Sequence, residues 1–225
     1  MARIPAAERR ADLVAAAVRV IAAHGVDGAT TRRIAEDANS PLATLHYCFA
    51  TKEALFSAVF DHVATQYRDV LTRSDTHDDV RSTARALLRG VLEWYRDNPD
   101  FGGAIIELIS WGQRQEDGLA QVVYNEAYGT MRTILTANAT ATHTPIDPDV
   151  IDQLIYIVSA LSDGFALNWL VFTGRDAAAP QIDLSLGVLD AWMDANLGDR
   201  TSAGPAPQAA PEPTLRSLVS WVSMD

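Results

Sequence analysis

The chain has 225 residues, 48% of them apolar and 21% charged, which is enough to bury a full core in one or two domains and too apolar for a disordered chain. A single cysteine excludes an internal disulfide and fits a reducing compartment, and the charged opening stretch MARIPAAERRADL lacks the apolar run of an export signal, so the expected location is cytoplasmic. The net charge of −11 argues against nucleic acid as a partner of the whole surface, yet residues 1–50 hold six arginines against five acids while the remainder holds twelve basic residues against twenty-four acidic. That asymmetry suits a small DNA-facing module on an acidic body.

Helical patterns follow one another along the chain. In AERRADLVAAAVRVIAAHG, the apolar positions Val14, Ala17, Val18 and Ile21 form a 3.6-residue stripe, and Gly25 supplies a C-terminal stop. TTRRIAEDA then starts on Thr30 as N-cap, with Asn39 able to take the left-handed turn conformation after it. Ser40 and Pro41 read as a cap and a first helical residue, and LATLHYCF runs for barely two turns. A fourth helix starts at the Thr51 cap and continues through Leu55, Phe56, Val59, Val63 and Val70.

Two short helices joined by a tight turn form a helix-turn-helix, whose second member enters the major groove. On that second helix Leu45 and Phe49, spaced i, i+4, face the core, while Leu42, Ala43, Thr44, His46 and Tyr47 project elsewhere. Threonine bonds base edges or phosphates, its methyl and that of alanine meet a thymine methyl, and tyrosine and histidine donate to phosphate. Lys52, the one lysine in the chain, starts the next helix, where backbone N–H groups also favour an anion. Cys48 reads as a small packing residue.

At these residues the sequence resembles the TetR family of transcriptional regulators. The pattern T-x-R-x-I-A at Thr30 to Ala35, followed by A-T-L-x-Y-x-F-x-T-K-E-A-L at Ala43 to Leu55, is similar to that family's DNA-binding signature, including its spacing from a helix ending at Gly25. The resemblance implies a dimer in which residues 41–48 read the groove, with Thr30, Thr31, Arg32, Thr44, His46, Tyr47 and Lys52 at DNA-touching positions. It departs from the family's usual pattern at Ile21, Asn39, Pro41, Ala43 and His46. Asn39 can keep the turn, and Ala43 still allows close backbone approach.

Beyond residue 74 the resemblance rests on architecture. Helices are expected at about 78–97, 101–115, 117–141, 147–173 and 182–197, with DNPD and THTPIDPD as breaks. The fourth of these is long enough to span a membrane, but Asp163 near its middle and Asn168 make a core helix the better reading, with no membrane partner. It is apolar on two faces. Ile151, Leu154, Val158, Phe165, Trp169 and Phe172 make one; Val150, Ile157, Leu161, Gly164 and Val171 make the other. A helix apolar all round must be covered all round, so the second face is expected to meet a partner, with Gly164 permitting close approach. The last helix behaves alike, with Val188 and Trp192 on its second side, and the two helices would form an isologous four-helix interface in a homodimer. Two recognition helices would then lie about 34 Å apart, matching successive major grooves of a near-palindromic operator.

An effector chamber is expected between these helices and the DNA-binding module. Trp94, Phe101, Ile105 and Trp111 are candidate lining residues from its first two helices, and Tyr124, Tyr128, Phe165 and Trp169 from the next two, with Glu107, Asn125, Glu126 and Asn168 as polar groups. The expected effector is a largely apolar small molecule. DTHDD at 75–79 gathers carboxylates around His77 but reads as a solvated loop, and the histidines show no metal spacing, so no metal site is expected. No Gly-rich phosphate loop, nucleophile elbow or CxxC is present, so no catalytic residue and no cofactor is expected. Residues 198–213, with four of the chain's ten prolines, read as a linker, and 214–225 as a short amphipathic segment.

The resulting expectation is an all-α chain. An N-terminal three-helix DNA-binding domain with a helix-turn-helix (1–50, with helix 51–73 connecting) precedes a larger helical effector-binding and dimerisation domain (51–197). By resemblance its function is that of a ligand-responsive regulator, a repressor released from double-stranded operator DNA by a small molecule. Left open are an activator or global regulator on the same fold, and a helical binding protein or enzyme without DNA binding.

Overall fold

The computed structural model describes residues 5–115, 118–171 and 178–197. Among the described residues every regular element is a helix. The first four are α1 (Ala6–Gly28), α2 (Thr31–Asp37), α3 (Leu42–Cys48) and α4 (Lys52–Arg73). The body follows with α5 (Val80–Asp97), α6 (Pro99–Gly112), α7 (Leu119–Ala141), α8 (Pro148–Val171) and α9 (Ala178–Asn196). Phe172, the linker 198–213 and the segment 214–225 lie outside the described residues.

Local chemistry sets most of the boundaries. The Thr30 hydroxyl accepts from the Arg33 backbone N–H at 3.3 Å and Thr51 accepts from Ala54 at 3.1 Å, as the sequence leads one to expect. Asn39 sits at φ 48°, with Ser40 N–H bonded to Ala35 O and Asn39 N–H to Glu36 O, the double closure that ends a helix on a left-handed residue. Gly25 (φ 67°, ψ 171°) breaks the first helix as expected, and a further turn beyond the break runs to Gly28. One expectation needs correction. Pro41 is the residue before α3 rather than its first, with no side-chain cap, and its carbonyl accepts from Thr44 N–H at 2.8 Å. Ser40 is instead occupied in closing α2.

The core is one continuous cluster that runs from Leu13 and Ile34 through Phe56, Leu87 and Leu135 to Leu186 and Met193. α1 lies along α6 and also packs on α4, so the first three helices are joined to the body through two elements. α4 lies against α7, while α5 is central, touching α4, α7, α8 and α9. Three arginines one turn apart on α5 meet three aspartates of α9: Arg81 with Asp194 at 2.6 Å, Arg85 with Asp190 at 3.2 Å and Arg89 with Asp183 at 3.6 Å.

The stretch 75–79 is more than a solvated loop. The Asp75 side chain is only 11% exposed, and it accepts from Asn138 Nδ2 and from the His77 backbone N–H, both at 2.9 Å. Buried Asn138 also reaches Thr83 at 2.9 Å, so the loop fastens α5 to α7. Asp79 caps α5, accepting from the Ser82 N–H at 2.9 Å. Among the described residues no three His, Cys, Asp or Glu side chains are grouped to hold a metal.

Within one chain α8 is not covered all round. Ile151, Leu154, Val158, Phe165 and Trp169 are buried, but Tyr156, Leu167 and Val171 are 65%, 54% and 64% exposed. The helix has the length and mean hydropathy (1.5) of a membrane span, yet only 39% of its apolar window is buried. The same open band continues on α9 with Leu184 and Val188.

Candidate functional site

The recognition surface is built by clamping one side of α3. Leu45 and Phe49 are buried, and the Arg10 side chain on α1 donates to the Cys48 carbonyl at 2.8 Å while its guanidinium lies 4.1 Å from the Phe49 ring centroid. A cation at the C-terminal end of a short helix complements its dipole and satisfies an orphan carbonyl. Arg19 ties α1 to Asp37 at the end of α2 at 2.6 Å. Neither arginine could be singled out from local pattern, because Arg10 and Cys48 are 38 residues apart.

Held this way, α3 turns its other side outward. Tyr47 is 83% and Leu42 40% exposed, Ala43 and His46 are exposed, and Thr44 is half-buried. Thr30 is exposed with its oxygen engaged as a cap, Thr31 is half-buried, and Arg32 is exposed and paired with Glu36 at 3.0 Å. Half-buried Lys52 holds its Nζ 4.9 Å from the Phe56 ring centroid. All nine expected DNA-facing residues thus lie on α2, α3 and the helix starts beside them.

In the body, α4, α5, α6, α7 and α8 wall a small, partly open cavity of about 30 Å³. Tyr67 and Leu71 enter from α4, Val91 from α5, Ile105 and Ile109 from α6. Val123, Tyr124, Ala127 and Met131 come from α7, and Val158, Ser159, Ser162 and Asp163 from α8. The Tyr124 phenol donates to Asp163 Oδ2 at 2.9 Å, and the Ser162 hydroxyl donates to the Val158 carbonyl at 2.8 Å. Asp163 is exposed as a residue, but partial desolvation of its carboxyl beside the apolar wall raises its pKa from the usual carboxylate value, against the opposing hydrogen bond from Tyr124. Burial first, then the Asp163 charge, pushes the Tyr124 phenol well up, and fully enclosed Tyr95 is raised for the same two reasons.

Of the eight expected effector residues, Ile105 and Tyr124 line this cavity. Tyr128 stands edge-on to Tyr124, centroids 6.0 Å apart. Trp94 and Phe101 pack on each other at 4.6 Å, Trp111 sits against Phe56 and Phe60 at 5.3 and 6.4 Å, and Phe165 stacks on Trp169 at 6.0 Å. These contacts are core packing away from the cavity wall. Glu126 is paired with Arg68 at 3.1 Å, and Asn168 donates to the Gly164 carbonyl at 2.7 Å. Asp163, which in the sequence served only to argue against a membrane, is the cavity's carboxylate.

On the open band, Gly164, Val171 and Val188 are exposed, while Ile157, Leu161 and Trp192 are half-buried at its edge. A Cβ at Gly164 or Gly187 would meet nothing within 4 Å. Tyr156, Leu167 and Leu184 join the band without having been singled out in the sequence.

Residues 13–59 match the family model for bacterial regulatory proteins of the TetR family. A nicotine-responsive transcriptional repressor of the helix-turn-helix type from Paenarthrobacter nicotinovorans is 28% identical over 198 residues, covering 85% of this chain and 97% of that relative. Similar solved structures include a TetR-family member from Streptomyces coelicolor A3, with a TM-score of 0.62, 23% identity and coverage of 81% of this chain and 98% of that one. A TetR transcription regulator from Haloarcula marismortui gives 0.65, 18%, 84% and 98%. Residues 13–59 thus carry the DNA-binding segment of the TetR family of bacterial regulatory proteins, and the helical body that follows is similar in fold to solved regulators of that family.

Proposed function

We propose that the chain is a repressor that binds a near-palindromic operator as a homodimer through α3 and the helix starts at Thr30 and Lys52, and leaves it when a largely apolar effector fills the cavity of the body. In this reading residues 1–50 form the DNA-binding domain, α4 is the connector, and residues 51–197 bind effector and partner. Tyr47, His46 and Lys52 donate to phosphate, and Leu42, Ala43 and Thr44 meet base edges. The open band of α8 and α9 is covered by the partner's matching band rather than by a membrane, and the working location is the cytoplasm.

One observation carries the coupling. The cavity wall is shared by α4 (Tyr67, Leu71) and α6 (Ile105, Ile109), the two helices that connect α1 to the body. A molecule that spreads these helices shifts α1 and α3 in each protomer and changes the spacing of the two recognition helices. A ligand with higher affinity for the spread state shifts the population toward it, and operator DNA then weakens ligand binding by the same coupling energy, typically about 1–3 kcal/mol. The relative from Paenarthrobacter is named for its response to nicotine, which makes nicotine a reasonable first compound to try.

The test is footprinting on the DNA flanking the chain's own gene at two salt concentrations. A protected near-palindrome is expected. Tyr47→Ala should weaken it roughly tenfold with dimerisation intact, and Lys52→Ala should lower the salt slope by about 2, one phosphate per protomer. Unchanged affinity in both variants would move the DNA contacts elsewhere. No specific site in a genome-wide binding selection would overturn the reading.

A further inference from the structure

The effector cavity assigned above also restricts the chemistry of what enters it, and this inference rests on that assignment. Eight of its thirteen lining residues are aliphatic or methionine, and two are tyrosines. The other three are Ser159, Ser162, whose hydroxyl gives its proton to a backbone carbonyl, and Asp163. No arginine, lysine or histidine lines the space, and among the described residues Asp163 is in no ion pair. Tyr124 donates its one proton to Asp163 Oδ2; the Ser159 and Tyr67 hydroxyls are neutral, so the Asp163 carboxyl is the one acidic group on the wall and no basic group faces it.

We propose that the effector is an organic cation, a protonated amine on an apolar body, with its N–H group directed at the Asp163 carboxylate. Asp163 keeps part of its surface in solvent, and an ammonium beside it forms a charge-assisted hydrogen bond with its carboxylate. The rings of Tyr67 and Tyr124 on the same wall favour a cation. A carboxylic acid, phosphate or acyl thioester with an anionic headgroup would put like charges together with no cation in the wall to offset them. At about 30 Å³ the space in this structure holds no more than a solvent molecule or two, so a ligand must spread the surrounding helices to enter, which a compact amine requires less than a long chain.

The experiment is calorimetry on the full-length protein at pH 7 with matched probes. The amines are nicotine and 4-phenylbutylamine, the uncharged counterparts are cotinine and N-acetyl-4-phenylbutylamine, and the acid is 5-phenylpentanoate. At least one amine is expected to bind at least tenfold tighter than its uncharged counterpart, with the acid weakest. Asp163→Asn keeps the side-chain shape and should abolish that preference, whereas Tyr124→Phe leaves the charge and should retain it. Binding of the acid or the uncharged compounds as tight as that of the amines, a preference that survives in Asp163→Asn, or no binding by either amine overturns the proposal. The comparison on the unaltered chain decides even if Asp163→Asn does not fold. Footprinting of the same preparation separates the two levels: operator DNA released by an uncharged or acidic compound sinks the amine and leaves the regulator, while amine binding without any operator does the reverse.

Discussion

His62 shows how a single side chain can tie the DNA-binding helices to the body. It is half-buried on α4, its ring faces Phe101 at 6.1 Å, and the groove it lines is shared with Arg19 of α1 and with Asp97 and Asp100 at the α5–α6 corner. Burial lowers its pKa below the ordinary 6.5. The unfolded chain therefore takes up the proton first as pH falls, so stability present above about 6.5 is lost on acidification through the lower folded value. Melting temperatures measured from pH 8 to pH 5 should fall more steeply for the natural chain than for His62→Gln. Parallel curves would show that the ring titrates as it does in water. The Asn39 turn makes the companion point about backbone: a residue that tolerates φ 48° closes α2 where the family often has glycine, and the local signal was readable because the αL preference of asparagine is intrinsic.

At the scale of elements, short helices depend on their ends. α2 and α3 have seven residues each, too short to persist alone, and each is held by a terminal device together with one buried face. For α2 the device is the Thr30 cap and the Asn39 closure; for α3 it is Arg10 on the Cys48 carbonyl. α5 starts on Asp79, whose carboxyl is held below the usual range chiefly by the hydrogen bond from the Ser82 N–H. Asp79→Ala should lose about 1 kcal/mol of stability at pH 7. Because the folded pKa is depressed, that contribution exists above the ordinary value of 3.8 and disappears as pH falls through the lower folded value, so the two chains should converge in acid. Chemical denaturation at pH 7 and pH 3 measures both arms. The three arginine–aspartate pairs between α5 and α9 are largely solvent-facing and add little each, but their spacing sets the register of α9 on α5.

For the whole molecule the proposed assembly turns on the open band on α8 and α9. Tyr156, Leu167, Val171, Leu184 and Val188 are large apolar side chains left in water by a single chain, and the space beside Gly164 and Gly187 is empty. Such a band marks an association surface. Gly164→Arg meets nothing within its own chain, so the protomer should fold, and helix propensity favours the change by roughly 1 kcal/mol. The long charged side chain blocks the partner. Sedimentation should show a monomer, and operator affinity should fall by a factor of about 100 or more, since two half-sites no longer bind as one unit. A Gly164→Arg chain that remains dimeric would place the interface elsewhere.

The amino-acid sequence by itself determined the helices, their caps and the DNA-binding segment. Periodicity, Thr30, Thr51 and Asn39 act within a few residues, and the motif from Thr30 to Leu55 is contiguous, so both could be read without knowing what lies across the fold. It also determined that α8 has more apolar surface than one core can use. Only the tertiary structure decided that Arg10 and Arg19 tie α3 and α2 to α1, that Asp75 fastens α5 to α7, and that the cavity of the body is walled by Tyr67, Tyr124 and Asp163 while Trp94, Trp111 and Trp169 pack elsewhere. The physical reason is the same in each case. Size and hydrophobicity belong to a residue, but a cavity is where residues from five helices fail to meet, and whether a carboxylate beside it stands without a cation depends on what distant elements bring there.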